Sequence, residues 1–397
     1  MPNKRKLVYL YENEFLKKDF ERYGLKYYLK KNIIVEIWDL TPHLKKNYFK
    51  KIRLINDLDL SINNFVYKFF HKKDAIIAAL NSDSKSSIFI SFLENSSDTQ
   101  FIFTELNKIN HYWGVLHMSS YPNQKLNFKE KIKLGIKNPN LIYKKFINKV
   151  LNNLDNYQFQ HNPKFVILAG QKSKIPYQIN SNTNIKNINV HNFNYDNFLD
   201  FYEKNFVDDS LPKYKYWAYI DEMVPYHLDM LHLGVNQPIC EEVVYYREIN
   251  IFFEQIEKLT GIKVLILGYN RAKYLKIDRE KLFEGRKIIY DKTNELVKNS
   301  HGVLMHNSSA VSFPVIYKKN IMFLFSENYN LLYKKSILAL ANELGEEPIN
   351  ISKLQDVDFN KNFNKEKYNQ FFRKYINNRK KIDNLKSYEI IYKELFT

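Results

Sequence analysis

The 397-residue sequence has one cysteine, Cys240, and few of the residues that interrupt secondary structure, with 10 glycines and 11 prolines. A single cysteine forms neither an intramolecular disulfide nor a thiolate metal cluster, and this usage is typical of a reducing cytoplasm. The low glycine and proline content excludes collagen-like and linker-like chains. No apolar run approaches the ~18 residues of a membrane-spanning helix. The apolar run near the amino end is broken by Glu12 and Glu14, which predicts no secretory signal.

Aromatic residues and lysine are abundant instead. The 30 tyrosines and 29 phenylalanines supply a large area for burial, and a chain of this length favours two globular domains at ~100–200 residues each. Lysine and arginine exceed aspartate and glutamate by 61 to 43, a formal net charge of +18. This excess is spread along the chain, and it indicates either a solvated basic surface or an attraction to anionic lipid or a phosphorylated substrate. No zinc-finger spacing, RNP aromatic motif or glycine-rich clamp is present, so we expect no nucleic-acid partner.

Strand-like apolar runs alternate with helical patterns along both halves of the chain. Strands are predicted at 6–11, 33–38, 87–91, 112–116, 164–170, 188–191, 216–220, 263–268, 287–289, 302–305 and 321–325. This alternation predicts an α/β fold with two facing doubly wound Rossmann-like domains. A polar segment at 192–215 predicts the joint, which gives an N-terminal domain at 1–205 and a C-terminal domain at 206–385. A helix within 365–397 is expected to cross back to the first domain.

A strand-to-helix junction in the second half predicts an anion site. The residues His306, Asn307, Ser308, Ser309 and Ala310 follow the strand at 302–305 and open a helix predicted at about 309–317. Free backbone N–H groups, the positive end of the helix dipole and two hydroxyl groups then meet, which suits a diphosphate or a phosphodiester. The alternative is that Ser308 or Ser309 only caps the helix.

This region resembles the donor-binding half of GT-B glycosyltransferases. The resemblance rests on the strand at 302–305, the Ser-Ser helix start, and the following strand with Ser326 and Glu327 at its end. The pattern is closest to sialyltransferase-like and Kdo-transferase-like members from bacterial capsule and lipopolysaccharide synthesis. The stretches 219–229, 261–271 and 283–293 follow in the same order as in such proteins. Asn320 stands where the pattern usually has proline. The usual His-Pro pair is replaced by Tyr269 and Asn270, so Arg271 or His306 would have to contact phosphate.

The resemblance implies which residues form the site. Donor and phosphate binding is expected from His306, Asn307, Ser308, Ser309, Ala310, Arg271, Thr293 and Glu327. The opening stretch 17–24 resembles the start of the same proteins, so Lys18, Asp19 and Arg22 are expected to border the acceptor cleft. For these three residues, the alternative is an exposed ion-paired helix face.

A catalytic base is expected after the strand at 216–220, because open α/β sheets bind ligands at the carboxyl ends of their strands. Asp221 is the first candidate, with His227 and Glu222 as rivals, since an acceptor hydroxyl must lose its proton as it attacks the anomeric carbon. The alternative is a surface turn whose carboxylates cap a helix. A metal site from Asp221, His227, Asp229 and His232 has suitable ligand types. Its spacing matches no known motif, so we expect no metal.

The function implied is a glycosyltransferase that moves a sugar from a CMP- or UDP-linked donor to a cell-surface glycan or a lipid-linked acceptor. The mechanism is expected to be metal-independent and inverting, with no cofactor, in the cytoplasm and in peripheral contact with the anionic inner membrane. A polyol-phosphate transferase or a nucleotide-sugar epimerase could use the same scaffold. A nucleic-acid-binding protein without catalytic activity would also account for the charge.

Overall fold

The computed structural model describes residues 6–13, 15–46, 49, 60–83, 86–94, 96–118, 121–122, 127–130, 162–172, 184–204, 211–227, 238–270, 277–353, 357–359, 362–379 and 384–397. The chain forms two compact units. The first unit comprises Met1–Ser120, Pro139–Asp196 and Asn377–Thr397, and the second comprises Tyr121–Asn138 and Asn197–Ile376. Each unit is built around one parallel sheet.

The sheet of the first unit has seven strands in the order β3-β2-β1-β4-β5-β6-β7. All six pairings are parallel. The strands are β1 (Lys6–Tyr11), β2 (Ile34–Asp39), β3 (Phe65–Phe69), β4 (Ser87–Ser91), β5 (Tyr112–His117), β6 (Phe165–Ala169) and β7 (Lys186–Val190). The central strands β1 and β4 are almost wholly buried, as expected for a parallel sheet that is covered on both faces.

Helices pack against the sheet of the first unit and form two apolar clusters with it. They are Lys17–Arg22, Leu25–Lys30, Thr41–Leu44, Lys73–Ser82, Gln100–Lys108 and Ser387–Phe396. The last of these contributes Ile390, Ile391 and Leu395 to one cluster. Gly24 permits this packing, because its φ is +62° and a Cβ atom there would lie 2.2 Å from Cγ of Tyr388.

The sheet of the second unit has six parallel strands in the order β10-β9-β8-β11-β12-β13. Its strands are β8 (Tyr216–Ile220), β9 (Lys263–Leu267), β10 (Ile288–Ile289), β11 (Gly302–Met305), β12 (Ile321–Phe325) and β13 (Ile349–Asn350). Gly302 is required at the start of β11, because a Cβ atom would lie 2.4 Å from the Trp217 ring. Within each sheet, the first strand and the fourth strand are neighbours, and the chain turns to opposite sides of them. This reversal is the topological switch point of a doubly wound sheet, where ligands bind.

The helices of the second unit alternate with its strands. They are the α-helices Glu242–Thr260, Arg279–Leu282, Thr293–Asn299, Ser312–Ile316, Leu331–Leu344 and Lys365–Phe371, the 3-10 turns Val224–Tyr226 and Ser309–Val311, and the π-helix Phe372–Ile376. The helix Phe193–Lys204 contains the boundary between the two units at Asn197. In the described part of the chain, no helix has the length and apolar character needed to cross a bilayer.

The predicted class, α/β with two doubly wound Rossmann-like domains, is confirmed by the strand order. Two strands, β3 and β13, were not predicted: β3 has only one buried residue and β13 has only two residues, so neither has a clear apolar pattern. The helix predicted at 309–317 is instead a 3-10 turn followed by a five-residue α-helix. The unit boundaries also differ from the predicted ranges. The stretch 121–138 belongs to the second unit, and the return to the first unit begins at Asn377 rather than near 365.

Candidate functional site

The candidate site lies at the switch point of the second sheet, where β8 and β11 end side by side. Asp221 and Glu222 follow β8, and the loop 306–310 follows β11. One hydrogen bond joins the two segments: the backbone N–H of Asn307 donates to Oε1 of Glu222 at 2.7 Å. The structure therefore brings together the two motifs that the sequence predicted separately.

Glu222 is buried at this junction and is 4% exposed. The Tyr333 hydroxyl lies 2.9 Å from its second oxygen, Oε2. Burial raises the pKa of Glu222 to about 8, because water no longer stabilises the carboxylate, and the nearby Asp221 adds to this effect. The hydrogen bonds from Tyr333 and Asn307 act in the opposite direction.

Asp221 is held in a buried ion pair. Its Oδ2 lies 2.7 Å from Nη1 of Arg279, with both side chains at most 3% exposed, while Oδ1 accepts from the backbone N–H of Met223 at 3.0 Å. Met223 adopts a left-handed backbone conformation at φ +53°, an uncommon state for a residue with a side chain. Both carboxylate oxygens are thus engaged, and the geometry assigns Asp221 to holding the loop after β8.

Arg279 was not among the candidates predicted from sequence. Burial disfavours its charge, but the neighbouring Asp221 outweighs this effect, so the pKa of the guanidinium is raised. The guanidinium lies over the Phe283 ring at 5.5 Å. The hydroxyl of the buried Tyr246 also interacts with the guanidinium of Arg279.

His306 lies in the core, fully buried. Its Nδ1 lies 2.7 Å from the carbonyl oxygen of Leu324, which can only accept, so Nδ1 carries the proton. The other nitrogen, Nε2, is 3.0 Å from the Tyr219 hydroxyl. Burial lowers the pKa of His306 to about 4, and the imidazole is neutral. Since both nitrogens are engaged and no charge is present, the geometry does not favour His306 as the substitute phosphate contact.

Ser308 and Ser309 occupy different positions in the loop. Ser308 is the N-cap of the 3-10 turn, and its Oγ accepts from the backbone N–H of Ala310 at 3.3 Å, so the capping alternative describes this contact. Ser309 is exposed. The Tyr121 hydroxyl donates to the carbonyl oxygen of Ser309 and contacts Oγ of Ser312, both at 3.2 Å. The helix dipole contributes less than expected here, because the α-helix that follows has only five residues.

His227 stands at the edge of the same cluster. It is half-buried, and its ring centroid lies 6.0 Å from that of Tyr333, the residue that contacts Glu222. Of the three candidate bases, His227 is therefore the one with the most accessible side chain. Asp229 and His232, the further members of the metal alternative, lie outside the described residues.

The remaining donor-side candidates are dispersed. Thr293 begins the helix after β10 and is half-buried. Glu327 is exposed after β12 and pairs with Lys353 at 2.6 Å. That contact lowers the pKa of Glu327. Arg271 lies outside the described residues.

The acceptor-side candidates belong to the first unit. Asp19 is 2% exposed, and its Oδ2 accepts from the backbone N–H of Leu16 at 3.0 Å, which fixes the start of the helix Lys17–Arg22. Arg22 lies 3.7 Å from Asp19 and over the Phe193 ring. Asp19 is thus not part of an exposed ion-paired face, and Lys18 is half-buried. The acceptor role of these residues stays a prediction.

Sequence reasoning missed Arg279, Tyr333 and Tyr121 for identifiable reasons. Arg279 stands among the charged residues Asp278, Glu280 and Lys281, where nothing indicates burial. Tyr333 stands 111 positions after Glu222, in a segment that carries no candidate site residue. Tyr121 lies in the first half of the sequence, although it belongs to the second unit.

No family model matches the chain, and no curated protein matches it. Solved structures that resemble it include the UDP-GlcNAc 2-epimerase of Methanocaldococcus jannaschii in complex with UDP-GlcNAc and UDP, at 15% identity, covering 98% of both chains, with a TM-score of 0.42. A second is MurG of Acinetobacter baumannii, at 8% identity, covering 93% of this chain and 90% of that chain, with a TM-score of 0.41. A third is Arabidopsis thaliana UGT89C1 complexed with UDP-L-rhamnose, at 8% identity, covering 98% of this chain and 92% of that chain, with a TM-score of 0.44. At these values the likenesses assign neither a family nor a function to the chain.

Proposed function

We propose that this protein is a glycosyltransferase that binds a CMP- or UDP-linked sugar at the switch point of its second sheet. One observation carries the proposal: the loop 306–310 and the Asp221-Glu222 pair, both indicated by the sequence, are joined there by the hydrogen bond from Asn307 to Glu222. The carboxyl edge at a switch point is where doubly wound sheets bind nucleotides. The resemblance in sequence to GT-B glycosyltransferases supports a nucleotide sugar as the ligand.

The loop supplies the donors for the phosphates in this proposal. The exposed Ser309 hydroxyl and the backbone around Ser308 are the proposed contacts, and the carboxylate of Asp221 after β8 is paired with Arg279. The sequence has no Asp-x-Asp motif next to the loop, so we propose that hydrogen bonds and basic side chains stabilise the leaving nucleotide. Arg271 remains a candidate for this role.

We propose His227 as the base of an inverting transfer. The acceptor hydroxyl oxygen attacks the anomeric carbon, its proton passes to the imidazole, and the bond to the nucleotide breaks with both electrons on the phosphate oxygen. A base must come within hydrogen-bond reach of the hydroxyl. The half-buried His227 meets this condition better than Asp221 or Glu222, which are each buried with both oxygens engaged.

The proposed acceptor is a cell-surface glycan or its lipid-linked precursor, as in capsule or lipopolysaccharide synthesis. The formal charge of +18 supports an anionic acceptor or contact with an anionic inner leaflet on the cytoplasmic side. This charge acts over the surface as a whole and is sensitive to salt. A vesicle-binding assay with and without anionic lipid, at low and moderate salt, tests this part of the proposal.

The donor is tested by thermal shift with CMP, UDP and GDP against a duplex oligonucleotide. One nucleotide should raise the melting temperature at micromolar concentration, with little effect of moderate salt. Strongly salt-dependent binding of the oligonucleotide alone would favour a nucleic-acid-binding protein. A screen of sugar donors for nucleotide release then identifies the transferred sugar, and conversion of the donor without release would favour an epimerase.

The base is tested with His227→Ala and His227→Gln. If the imidazole takes the proton, turnover falls by ~100-fold or more while donor affinity is retained. The mutation His71→Ala, at an exposed histidine of the first unit, is the matched control. Normal turnover in both His227 variants would remove His227 from the mechanism.

A further inference from the structure

We propose that Tyr219 and Tyr245 are positioning residues that act on the loop 306–310 through the imidazole of His306. The inference rests on the proposed function, because it names the residues that hold this loop in its nucleotide-binding conformation. Both tyrosines are fully buried, so neither contacts the nucleotide. They act on the loop from the core of the second unit, through hydrogen bonds.

His306 is the first residue of the loop and connects it to two strands besides its own. β11 pairs with β8 on one side and with β12 on the other, and its last residue, Met305, directly precedes His306. The imidazole reaches both neighbouring strands. Its Nδ1 lies 2.7 Å from the carbonyl oxygen of Leu324 on β12, and its Nε2 lies 3.0 Å from the hydroxyl of Tyr219 on β8. The planar ring therefore fixes the start of the loop across three strands.

The hydrogen bonds of this chain have a fixed direction. The Leu324 carbonyl only accepts, so Nδ1 of His306 donates to it. Burial lowers the pKa of His306 and keeps the ring neutral, so Nε2 accepts and the Tyr219 hydroxyl donates to it. The Tyr219 oxygen is then left to accept from the hydroxyl of Tyr245, on the helix Glu242–Thr260. Each hydroxyl therefore depends on the next group for its orientation.

Removal of the Tyr219 hydroxyl would leave a buried nitrogen of His306 without its donor. The imidazole is fully buried, and the rings of Tyr329 and Tyr333 pack against it with centroid distances of 5.4 and 6.1 Å. Bulk water therefore does not replace the hydroxyl at Nε2. An unsatisfied buried acceptor is costly, and a shift of the ring that relieves this cost also moves the loop that begins at His306.

The test compares Tyr219→Phe with Tyr216→Phe, a matched control on the same strand. Tyr216 is fully buried at the amino end of β8, and its hydroxyl donates to the carbonyl oxygen of Leu296 at 2.8 Å. Each variant loses one buried hydroxyl contact, so both should lower the melting temperature. Calorimetry with CMP, UDP and GDP identifies the nucleotide that binds the wild type. Its dissociation constant should rise about tenfold in Tyr219→Phe and stay within about twofold of wild type in Tyr216→Phe.

A double-mutant cycle tests whether Tyr219 acts through His306. His306→Phe keeps a planar ring but loses both hydrogen bonds, so it should weaken binding at least as much as Tyr219→Phe. If the two residues act in one chain, Tyr219→Phe/His306→Phe should bind no more weakly than His306→Phe alone. Tyr245→Phe keeps the contact between Tyr219 and His306, so it should weaken binding less than Tyr219→Phe. Additive effects in the cycle, or a larger effect in Tyr245→Phe, would overturn the proposed chain.

Nitrogen NMR of the His306 ring gives a readout that a loss of stability alone does not change. The Nε2 resonance should shift in Tyr219→Phe while Nδ1 keeps its proton, and both should stay unchanged in Tyr216→Phe. An unchanged Nε2 resonance in Tyr219→Phe, or equal nucleotide affinities in the two variants, would overturn the inference while the proposed function stands. If none of the three nucleotides binds the wild type, the proposed function fails and this inference fails with it.

Discussion

Each of the two switch points holds a buried glutamate that joins two loops, and the two glutamates differ in the group that lies beside them. In the first sheet, Glu12 follows β1 and its Oε1 accepts from the backbone N–H of Glu94 after β4, at 3.0 Å. In the second sheet, Glu222 follows β8 and accepts from Asn307 after β11, at 2.7 Å. Each buried glutamate therefore ties the loop after the first strand of its sheet to the loop after the fourth.

The difference lies in the second partner. Nζ of Lys45 lies 3.7 Å from Oε1 of Glu12, whereas Oε2 of Glu222 meets the hydroxyl of Tyr333. Burial raises both pKa values, to about 7 for Glu12, where Lys45 opposes the rise, and to about 8 for Glu222. The comparison shows that the same tether has a lysine beside it in one sheet and a tyrosine hydroxyl in the other.

The largest expected effect concerns the ion pair found at the second switch point. Arg279→Ala leaves Asp221 buried without its countercharge, and we expect a loss of about 3–5 kcal/mol in the free energy of unfolding. Urea denaturation measures it, with Asp221→Asn/Arg279→Met as the matched double variant, which should lose less. A loss below about 1 kcal/mol in Arg279→Ala would show that the pair does not support the site.

The pH dependence of stability comes next. A folded-state pKa above the ordinary 4.5 means that the folded protein binds more protons than the unfolded chain between the two values. The stabilisation is complete below pH 4.5 and is lost as pH rises to about 8 for Glu222 or about 7 for Glu12. Relative to wild type, Glu222→Gln should gain about 2–4 kcal/mol in the free energy of unfolding as pH rises from 5 to 8, and Glu12→Gln should gain less.

Denaturant titrations at pH 5, 6, 7 and 8 check this prediction. The wild type should lose stability over the range, and the double variant Glu12→Gln/Glu222→Gln should show the flattest profile. Identical slopes in wild type and double variant would contradict the assignment of raised pKa values to these two residues.

A smaller effect is expected from Tyr333→Phe, which removes the neutral partner and has no counterpart at Glu12. This substitution should lower the free energy of unfolding by about 1–1.5 kcal/mol, the usual contribution of a buried hydrogen bond. It should also move the pKa of Glu222 further upward, because the Tyr333 hydroxyl lowers it in the wild type. The titration of Glu222 can be followed by carboxyl-carbon NMR, and a downward shift would contradict this account.

The smallest effect is expected from Lys45→Ala at the first switch point. Glu12 can take up a proton when its cation is removed. We therefore expect the free energy of unfolding to fall by less than about 1 kcal/mol at pH 6 and by more at pH 8. The contrast with Arg279→Ala is the sharpest check on the comparison. A loss equal to that of Arg279→Ala at pH 6 would show that Glu12 is ionised in the folded protein.

The sequence predicted much of this fold because most strands are short apolar runs with clear ends, such as those that became β8, β11 and β12. It also placed Glu222 and Asn307 at the ends of two strands. It could not predict that these strands are neighbours, because strand order depends on packing across the sheet. The pairing of Asp221 with Arg279 and the burial of Glu222 depend on residues distant in sequence, such as Tyr333.

The central claim is that the loop 306–310 binds the phosphates of a nucleotide. Calorimetric titration of the wild type and of Ser308→Ala/Ser309→Ala with CMP, UDP and GDP tests it most directly. One nucleotide should bind the wild type, and its dissociation constant should rise about 10–100-fold in the double variant, which loses two hydroxyl contacts to a charged group. A folded double variant with unchanged affinity would reduce both serines to helix caps and contradict the claim.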